Sequence, residues 1–255
     1  FSMEVFQDYA LYYNAFYQDK DYIGEARQID ELLKKYGNCN IKKLMNFGCG
    51  TGKHDIELSK LGYQCTGIDV SPLMIDIAKS NIKNEQVKVE FYVADIRKYV
   101  TEKKYDAVIS LFHVTSYQNG NDDIMAAFRS ARKALDKGGL LLFDVWYGPG
   151  VLNNKPEVRV KEVEDGKYRL VRTACPVMHD TTNVVDVCYE VFVIDKETGK
   201  TRVINEIHKM RYFFRPEVEF YLKEADFELI DNLDCRTLEE TDYDSWTSYF
   251  IAQAV

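Results

Sequence analysis

Two segments of this 255-residue chain bring together side chains that can transfer protons. The stretch NEIHKMRYFF alternates so that Glu206 and His208 share one side of a predicted strand, and a carboxylate can orient an imidazole for general-base chemistry. His113 and Tyr117 lie in LFHVTSYQNG, after another predicted strand. The pattern indicates either bases for a small-molecule reaction or, alternatively, solvent-exposed strand residues and a histidine that only packs.

A glycine-rich turn in NFGCGTGKHD can hold an adenosine cofactor. Its three glycines let the backbone approach a ligand where a helix N-terminus presents N–H groups, and Asp69 can accept hydrogen bonds from a ribose. Lys53 occupies the position that a dinucleotide fingerprint gives to a small residue. His54 stands where a Walker loop has Ser or Thr. The turn therefore disfavours NAD and a nucleoside triphosphate.

These segments belong to an alternating pattern of strands and helices. Apolar runs and helical patterns from residue 41 to residue 134 predict β-α units and a parallel sheet, with helices over 71–82 and 122–135, the latter ended by Gly138 and Gly139. Residues 158–214 contain four β-rich runs, which predict an antiparallel insertion. The predicted strands of the main sheet are 43–47, 64–69, 88–93, 105–111, 140–145, 227–233 and 248–254.

The composition favours a small-molecule partner. A net charge of −8 disfavours a nucleic-acid surface, which needs clustered Lys and Arg. No apolar run approaches about 18 residues, and FSMEVFQDYA lacks a signal-peptide pattern, so we expect no membrane span and a cytoplasmic location. The histidines and cysteines lack metal-ligand spacing, so we expect no metal and reduced thiols at positions 39, 49, 65, 175, 188 and 235.

Five motifs, in this order, resemble the class I S-adenosylmethionine (SAM) dependent methyltransferases: FGCGTG, GIDVSPLMIDIAK, VADI, YDAVISLFHV and LLLFDVW. The resemblance covers residues 41–145 and extends to the final strands. It implies SAM as the cofactor and a Rossmann-like α/β fold, with a seven-stranded methyltransferase sheet whose last strand is antiparallel and an antiparallel β insertion. Asn46 departs from the family, which usually has Asp or Glu there.

The resemblance also implies which residues contact the cofactor. Asp69 would bind the ribose diol, and Asp95 would accept from the adenine amine. The N-terminal DYALYYNAFYQDKDYIGEA is similar to an opening that folds over the cofactor, although its aromatic residues recur at helical spacing and could be a packing stripe. The implied cofactor residues are Tyr13, Tyr17, Tyr22, Phe47, Gly48, Cys49, Gly50, Asp69, Val70, Met74, Asp95, Ile96, Leu111 and Phe112.

The insertion is similar to that of small-molecule methyltransferases, especially those acting on amino groups of nucleotide-linked sugars. The segment after the fourth strand lacks the (N/D/S)-P-P-(Y/F/W) motif of nucleic-acid amino-methyltransferases. Tyr117 matches a position where some sugar N-methyltransferases have a histidine, so Tyr117, His113 and His208 are the candidate catalytic residues. Arg211 would contact a phosphate if the acceptor is nucleotide-linked.

We therefore expect methyl transfer to a small polar metabolite, with an amine of a nucleotide-linked amino sugar ahead of the alternatives. Those alternatives are O-methylation of a sugar or phosphorylated metabolite, and SAM binding without turnover. We expect a monomer or homodimer that binds neither nucleic acid nor membrane. Residues 1–40 would form a helical lid, 41–150 the SAM-binding α/β core, 151–214 the insertion over the acceptor site, and 215–255 the C-terminal helix and strands that complete the core sheet.

Overall fold

The computed structural model describes residues 8–37 and 40–255, so Cys39 and the first seven residues of the predicted lid lie outside it. Two helices come first, α1 (Ala10–Phe16) and α2 (Tyr22–Tyr36). The side chain of Asp21 begins α2 by accepting a hydrogen bond from the Gly24 N–H, and Lys34 and Lys35 lie in the last turn.

The α/β core follows the predicted alternation. The helix predicted over 71–82 forms: Ser71 accepts a hydrogen bond from the Met74 N–H, and Pro72 is the first helical residue. The core comprises β1 (Lys43–Phe47), α3 (Lys53–Lys60), β2 (Gln64–Asp69), α4 (Pro72–Asn81), β3 (Val89–Val93), β4 (Tyr105–Ser110), a 3₁₀ turn (Val114–Tyr117), α5 (Asn121–Ala134), β5 (Leu135–Tyr147) and α6 (Gly148–Asn153).

Strand β5 is longer than the sequence indicated. Gly138 and Gly139 were predicted to end the preceding helix, but that helix ends at Ala134 and both glycines lie within β5. The strand extends because it has partners on both sides: Leu140 pairs with Ala107 of β4 and also pairs with Gln253 further along the chain.

The remaining elements are four long strands, a helix and two final strands. Gly166 and Lys167 form the turn of the first hairpin, where Gly166 has a φ of +47°. The elements are β6 (Arg159–Asp165), β7 (Tyr168–His179), β8 (Val184–Asp195), β9 (Thr201–Phe213), α7 (Arg215–Glu224), β10 (Phe227–Asp234) and β11 (Thr247–Ala254).

The main sheet has the order β3-β2-β1-β4-β5-β11-β10, in which the first five strands are parallel and β11 is antiparallel to both of its neighbours. This confirms the predicted Rossmann-like α/β fold. The strands β6 to β9 form an antiparallel ladder that joins the main sheet at one place. There Tyr212 and Phe213 of β9 pair in parallel with Trp146 and Tyr147 at the end of β5.

Both faces of the main sheet are covered by helices. Helices α5 and α7 pack on one face around Phe143 and Phe250, and α2 packs on the other through Ile29 and Leu33. Helix α1 instead lies against the insertion, where Phe16 joins a buried cluster with strands β6 to β9. No helix in the described ranges is long and apolar enough to cross a membrane.

A buried polar pair lies beneath the glycine turn. The Asn46 amide donates a 2.8 Å hydrogen bond to Asp55 Oδ2, and Asp55 is fully buried in the first turn of α3. Burial raises the pKa of the Asp55 carboxyl to about 7, although the hydrogen bond from Asn46 opposes the shift. The structure therefore places an acidic group next to Asn46, where the family usually has the acid in the strand.

Replacing Asp55 by Asn is expected to change how stability depends on pH. The folded chain holds the Asp55 proton up to a pKa of about 7, whereas an ordinary aspartate releases it near 3.8. Because the unfolded state loses the proton first, stability falls as the pH rises from about 4 to about 7. This one group contributes about 4 kcal/mol to that fall, and Asp55→Asn should remove it.

Urea denaturation of both proteins at about pH 4.5 and about pH 8 measures the effect. The wild type should lose more stability than Asp55→Asn on going to the higher pH. Asp76→Asn, an exposed position on α4, is the matched control and should follow the wild type. Equal pH dependence in wild type and Asp55→Asn would contradict the assignment of the titration to Asp55.

Candidate active site

The glycine turn between β1 and α3 has the backbone that a bound cofactor requires. Gly48 and Gly50 have φ values of +74° and +53°, a region that residues with a Cβ rarely adopt. A Cβ on Gly48 would lie 2.4 Å from Val114 Cγ1, whereas a Cβ on Gly50 would meet no atom within 4 Å. Gly50 therefore borders open space at the end of the sheet, and Cys49 between the two glycines is buried.

Asp69 is fixed to this turn by the backbone. Its Oδ2 accepts a 2.9 Å hydrogen bond from the Gly50 N–H, and its Oδ1 accepts one of the same length from the Ser71 N–H. Burial raises the pKa of Asp69, while these backbone bonds oppose the rise. Val70 beside it is partly exposed and Met74 in the next helix is buried. The backbone of the glycine turn and of the start of α4 therefore fixes the orientation of this carboxylate.

The adenine-side candidates have protein partners in this structure. Arg97 donates to both oxygens of Asp95, with Nη2 2.7 Å from Oδ2 and Nε 2.9 Å from Oδ1. Partial burial opposes ionisation, yet the hydrogen bonds from Arg97 hold the pKa of Asp95 below its ordinary value. Phe47 and Ile96 both lie in the buried core below the turn.

The three predicted lid tyrosines lie above different parts of the cleft. The rings of Tyr13 and Tyr17 are 4.6 Å apart, and Tyr17 meets the edge of Phe112 at 5.2 Å. Tyr22 stands apart from this pair, with its ring 4.9 Å from that of His54. The structure therefore brings Tyr13 and Tyr17 to the end of β4 and Tyr22 to the start of α3.

The segment after β4 has an unusual backbone. Phe112 and His113 both have positive φ, at +63° and +65°, which is uncommon for residues with side chains. The His113 N–H donates to both oxygens of Asp144 at 3.0 and 3.1 Å, and His113 Nδ1 lies 2.6 Å from Asp144 Oδ2. Asp144 was not predicted as a site residue. Asp144 could have been predicted from its position in LLLFDVW, because an acidic residue within an apolar strand is unusual.

A cavity of about 230 Å³ opens beside this segment. It lies between α2 and the ends of β4, β5 and β11, so it occupies the edge of the sheet where open α/β folds bind ligands. Two predicted cofactor residues, Leu111 and Phe112, line it together with His113 and Asp144.

On the insertion side, three polar groups form a chain. Tyr117 Oη lies 2.7 Å from His208 Nδ1, and His208 Nε2 lies 3.1 Å from Glu206 Oε2. The backbone N–H of Tyr9 also donates to Glu206 Oε1 at 3.2 Å. Glu206 and His208 are both buried, so the alternative in which they are solvent-exposed strand residues is wrong.

Burial sets the protonation of this chain. Desolvation lowers the pKa of His208 below its ordinary range, although Glu206 partly opposes that shift, and desolvation raises the pKa of Tyr117. His208 is therefore a neutral imidazole near pH 7. A carboxylate at Nε2 fixes the proton on that nitrogen, which leaves Nδ1 to accept a hydrogen bond from the Tyr117 hydroxyl.

The two arginines near this region have different partners. Arg211, which was expected to contact a phosphate if the acceptor is nucleotide-linked, is buried, and its Nη2 lies 3.1 Å from Glu217 Oε2. The alternation ends at Met210 because β9 there leaves the insertion to join β5. Arg172 on β7, which the sequence did not single out, instead lies among the lid aromatics.

The sequence comparisons identify the reaction class. Residues 44–139 match the methyltransferase domain family. A dTDP-3-amino-3,4,6-trideoxy-alpha-D-glucopyranose N,N-dimethyltransferase from Streptomyces venezuelae is 25% identical over 215 residues, which cover 83% of this chain and 86% of that protein. The positive-φ glycines and the fixed Asp69 fit the adenosine and methionine parts of SAM.

Solved structures share the fold along the whole chain. An S-adenosylmethionine-dependent methyltransferase from Clostridium acetobutylicum ATCC 824 has a TM-score of 0.81 at 20% identity, covering 96% of each chain. CalS10 from Micromonospora echinaspora, an amino pentose methyltransferase solved with bound SAM, has a TM-score of 0.76 at 19% identity and covers 100% of both. Residues 44–139 of this chain are thus a methyltransferase domain, and the chain as a whole has the fold of the solved SAM-dependent methyltransferases.

Proposed function

We propose that this protein transfers a methyl group to an amine of a small polar metabolite, most simply a nucleotide-linked amino sugar. The observation that carries the proposal is the chain from Glu206 through His208 to Tyr117, enclosed beside the lid and the end of β4. The dTDP-amino-sugar dimethyltransferase and the amino pentose methyltransferase among its relatives support an amine as the acceptor.

The hydrogen bonds of the chain suit the removal of a proton from an amine. Tyr117 donates to His208 Nδ1, so its oxygen can accept a hydrogen bond from an acceptor N–H. When the acceptor gives up its proton to the Tyr117 oxygen, the tyrosine proton passes to Nδ1. The resulting imidazolium lies 3.1 Å from the Glu206 carboxylate, which stabilises its charge.

Bound SAM supplies an electrophilic methyl group on a sulfonium. The protein's own contribution is to align the acceptor lone pair and to exclude water, and alignment alone is worth several kcal/mol of a barrier, on the order of 7 or more in favourable cases. Tyr13, Tyr17 and Phe112 pack ring against ring above the sheet edge, and they would shield the reacting atoms from solvent.

O-methylation of a sugar or phosphorylated metabolite is the second candidate function. The same histidine-carboxylate pair would then deprotonate a hydroxyl. His113 is the second candidate base because it contacts Asp144 and lines the cavity. His113→Asn and His208→Asn, assayed side by side, discriminate between the two histidines.

Mass spectrometry of a metabolite extract incubated with the protein and isotope-labelled SAM tests the function. We expect label on the nitrogen of an amino sugar. Label on oxygen would establish the second candidate, and the absence of labelled products from extracts and from a broad panel of amines and alcohols would indicate a SAM-binding protein without turnover.

Asp69→Ala is expected to weaken SAM binding by about 1–3 kcal/mol, because the hydrogen bonds to the ribose are lost and the Gly50 N–H loses its acceptor. Isothermal titration calorimetry with SAM measures the change. Asp76→Ala on the exposed side of α4 is the control and should bind as the wild type does. Unchanged affinity in Asp69→Ala would place the cofactor elsewhere.

Tyr117→Phe should lower kcat by about 10²-fold or more, within the range that positioned acid-base groups contribute. SAM affinity should stay within about twofold, a change of less than about 0.5 kcal/mol. Steady-state assays with the identified acceptor measure kcat, and calorimetry measures the SAM affinity. Tyr168→Phe, on the outer part of the insertion, is the control. A variant that loses SAM affinity but retains kcat would assign Tyr117 to the cofactor site.

A further inference from the structure

Arg172 is a cation surrounded by aromatic rings. Its guanidinium carbon lies 4.9 Å from the centre of the Phe16 ring and 5.0 Å from that of Tyr189. Nη1 donates to the hydroxyl of Tyr9 at 2.5 Å and to that of Tyr17 at 3.3 Å. Burial raises the pKa of Tyr9, and burial raises that of Tyr189 to about 12, so both phenols are neutral near pH 7.

No carboxylate compensates this charge within residues 8–37 and 40–255, where none lies within ion-pair distance of the guanidinium. A partly buried cation without a counter-ion loses hydration that no ion pair replaces. Cation–π contacts offset only part of that cost. By contrast, Arg211 at the other end of the insertion has Glu217 as its partner.

One side of the guanidinium has no hydrogen-bond partner among the described residues. All of its hydrogen bonds to described residues run from Nη1, and the buried Nε has no hydrogen-bond partner among them. Nε and Nη2 form the side of an arginine that presents two parallel N–H donors. This arrangement matches the two oxygens of a carboxylate or of a phosphate.

Arg172 and the proton-transfer chain share two neighbours. The Tyr189 ring packs on Arg172 and also lies 4.7 Å from the His208 ring. Tyr9 accepts from Arg172 through its hydroxyl and donates to Glu206 through its backbone N–H. Arg172 and His208 therefore lie on either side of one aromatic ring, a separation that a single metabolite can span.

We infer that Arg172 binds an anionic group of the methyl acceptor, a carboxylate or a phosphate, while the acceptor amine meets Tyr117. The inference rests on the proposed function for the identity of the amine, but the anion site can be tested without it. It narrows the substrate class to amines that carry an oxyanion, and it excludes neutral amino sugars as efficient acceptors.

Calorimetric titration of pyrophosphate and of acetate into the protein saturated with S-adenosylhomocysteine tests the anion site. The wild type should bind one of the two anions, and Arg172→Met should reduce that affinity at least tenfold. Arg169→Met is the matched control, since Arg169 lies on the same strand but is exposed and pairs with Glu162. Equal affinities in all three proteins, or binding of neither anion to the wild type, would overturn the inference.

Thermal denaturation shows whether Arg172→Met loses anion affinity only because its fold is destabilised. Because Arg172 is a partly buried charge without a counter-ion, Arg172→Met should melt within a few degrees of the wild type or above it. If Arg172→Met does not fold, Arg172→Lys replaces it, because lysine retains the charge and lacks the two parallel donors. Anion affinity of Arg172→Lys equal to that of the wild type would then refute the site.

Acceptor pairs that differ only in an anionic group separate this inference from the proposed function. Glucosamine 6-phosphate and glucosamine form one such pair, and amino acids with their amides form others. We expect faster labelling of the anionic member wherever methyl transfer occurs. A neutral member labelled as fast as its anionic counterpart contradicts the anion site. Arg172-dependent anion binding without any labelling would instead contradict the proposed methyl transfer.

Discussion

The pairing of β9 with the end of β5 is the contact on which the arrangement of the site depends. Two residue pairs, Trp146 with Tyr212 and Tyr147 with Phe213, join the four-stranded insertion to the main sheet. This pairing sets the direction of β9, so His208, a few residues before the junction, faces Tyr117 in the 3₁₀ turn after β4. A shift of β9 by one residue would turn His208 and Glu206 to the outer face, because strand side chains alternate.

Burial gives the polar groups of the site their protonation states. The lid and the insertion cover His208 and Tyr117, and the loss of water keeps both neutral near pH 7. The same burial has different consequences for two arginines. Arg211 forms an ion pair with Glu217 that ties β9 to α7, whereas the neighbours of Arg172 are phenols and a phenyl ring. Arg211 therefore stabilises the fold, whereas Arg172 has no ion-pair partner among the described residues and is the one that we propose binds a ligand.

Local features of the site were predictable from the sequence, and non-local features were not. The glycine turn and the cap of α4 by Ser71 each depend on a few adjacent residues. The types of those residues are therefore sufficient to predict both features. Alternation showed that Glu206 and His208 share a face, but only the lid and the β5 junction decide that this face is buried. Asp144 and Arg172 were not predicted because their partners lie far away in the chain. The burial of Arg211 was not predicted because the alternation of buried and exposed residues ends just before it.

The position of α1 has a consequence for the order of events in a catalytic cycle. This helix lies on the insertion and carries Tyr17, which touches both Phe112 at the edge of the core and Arg172 of the insertion. If Arg172 binds the acceptor as proposed, that ligand would also hold α1 in place through Tyr17. If α1 covers the cofactor, thermodynamic reciprocity would then make each ligand raise the affinity for the other, and the dissociation of one product would lower the affinity for the second.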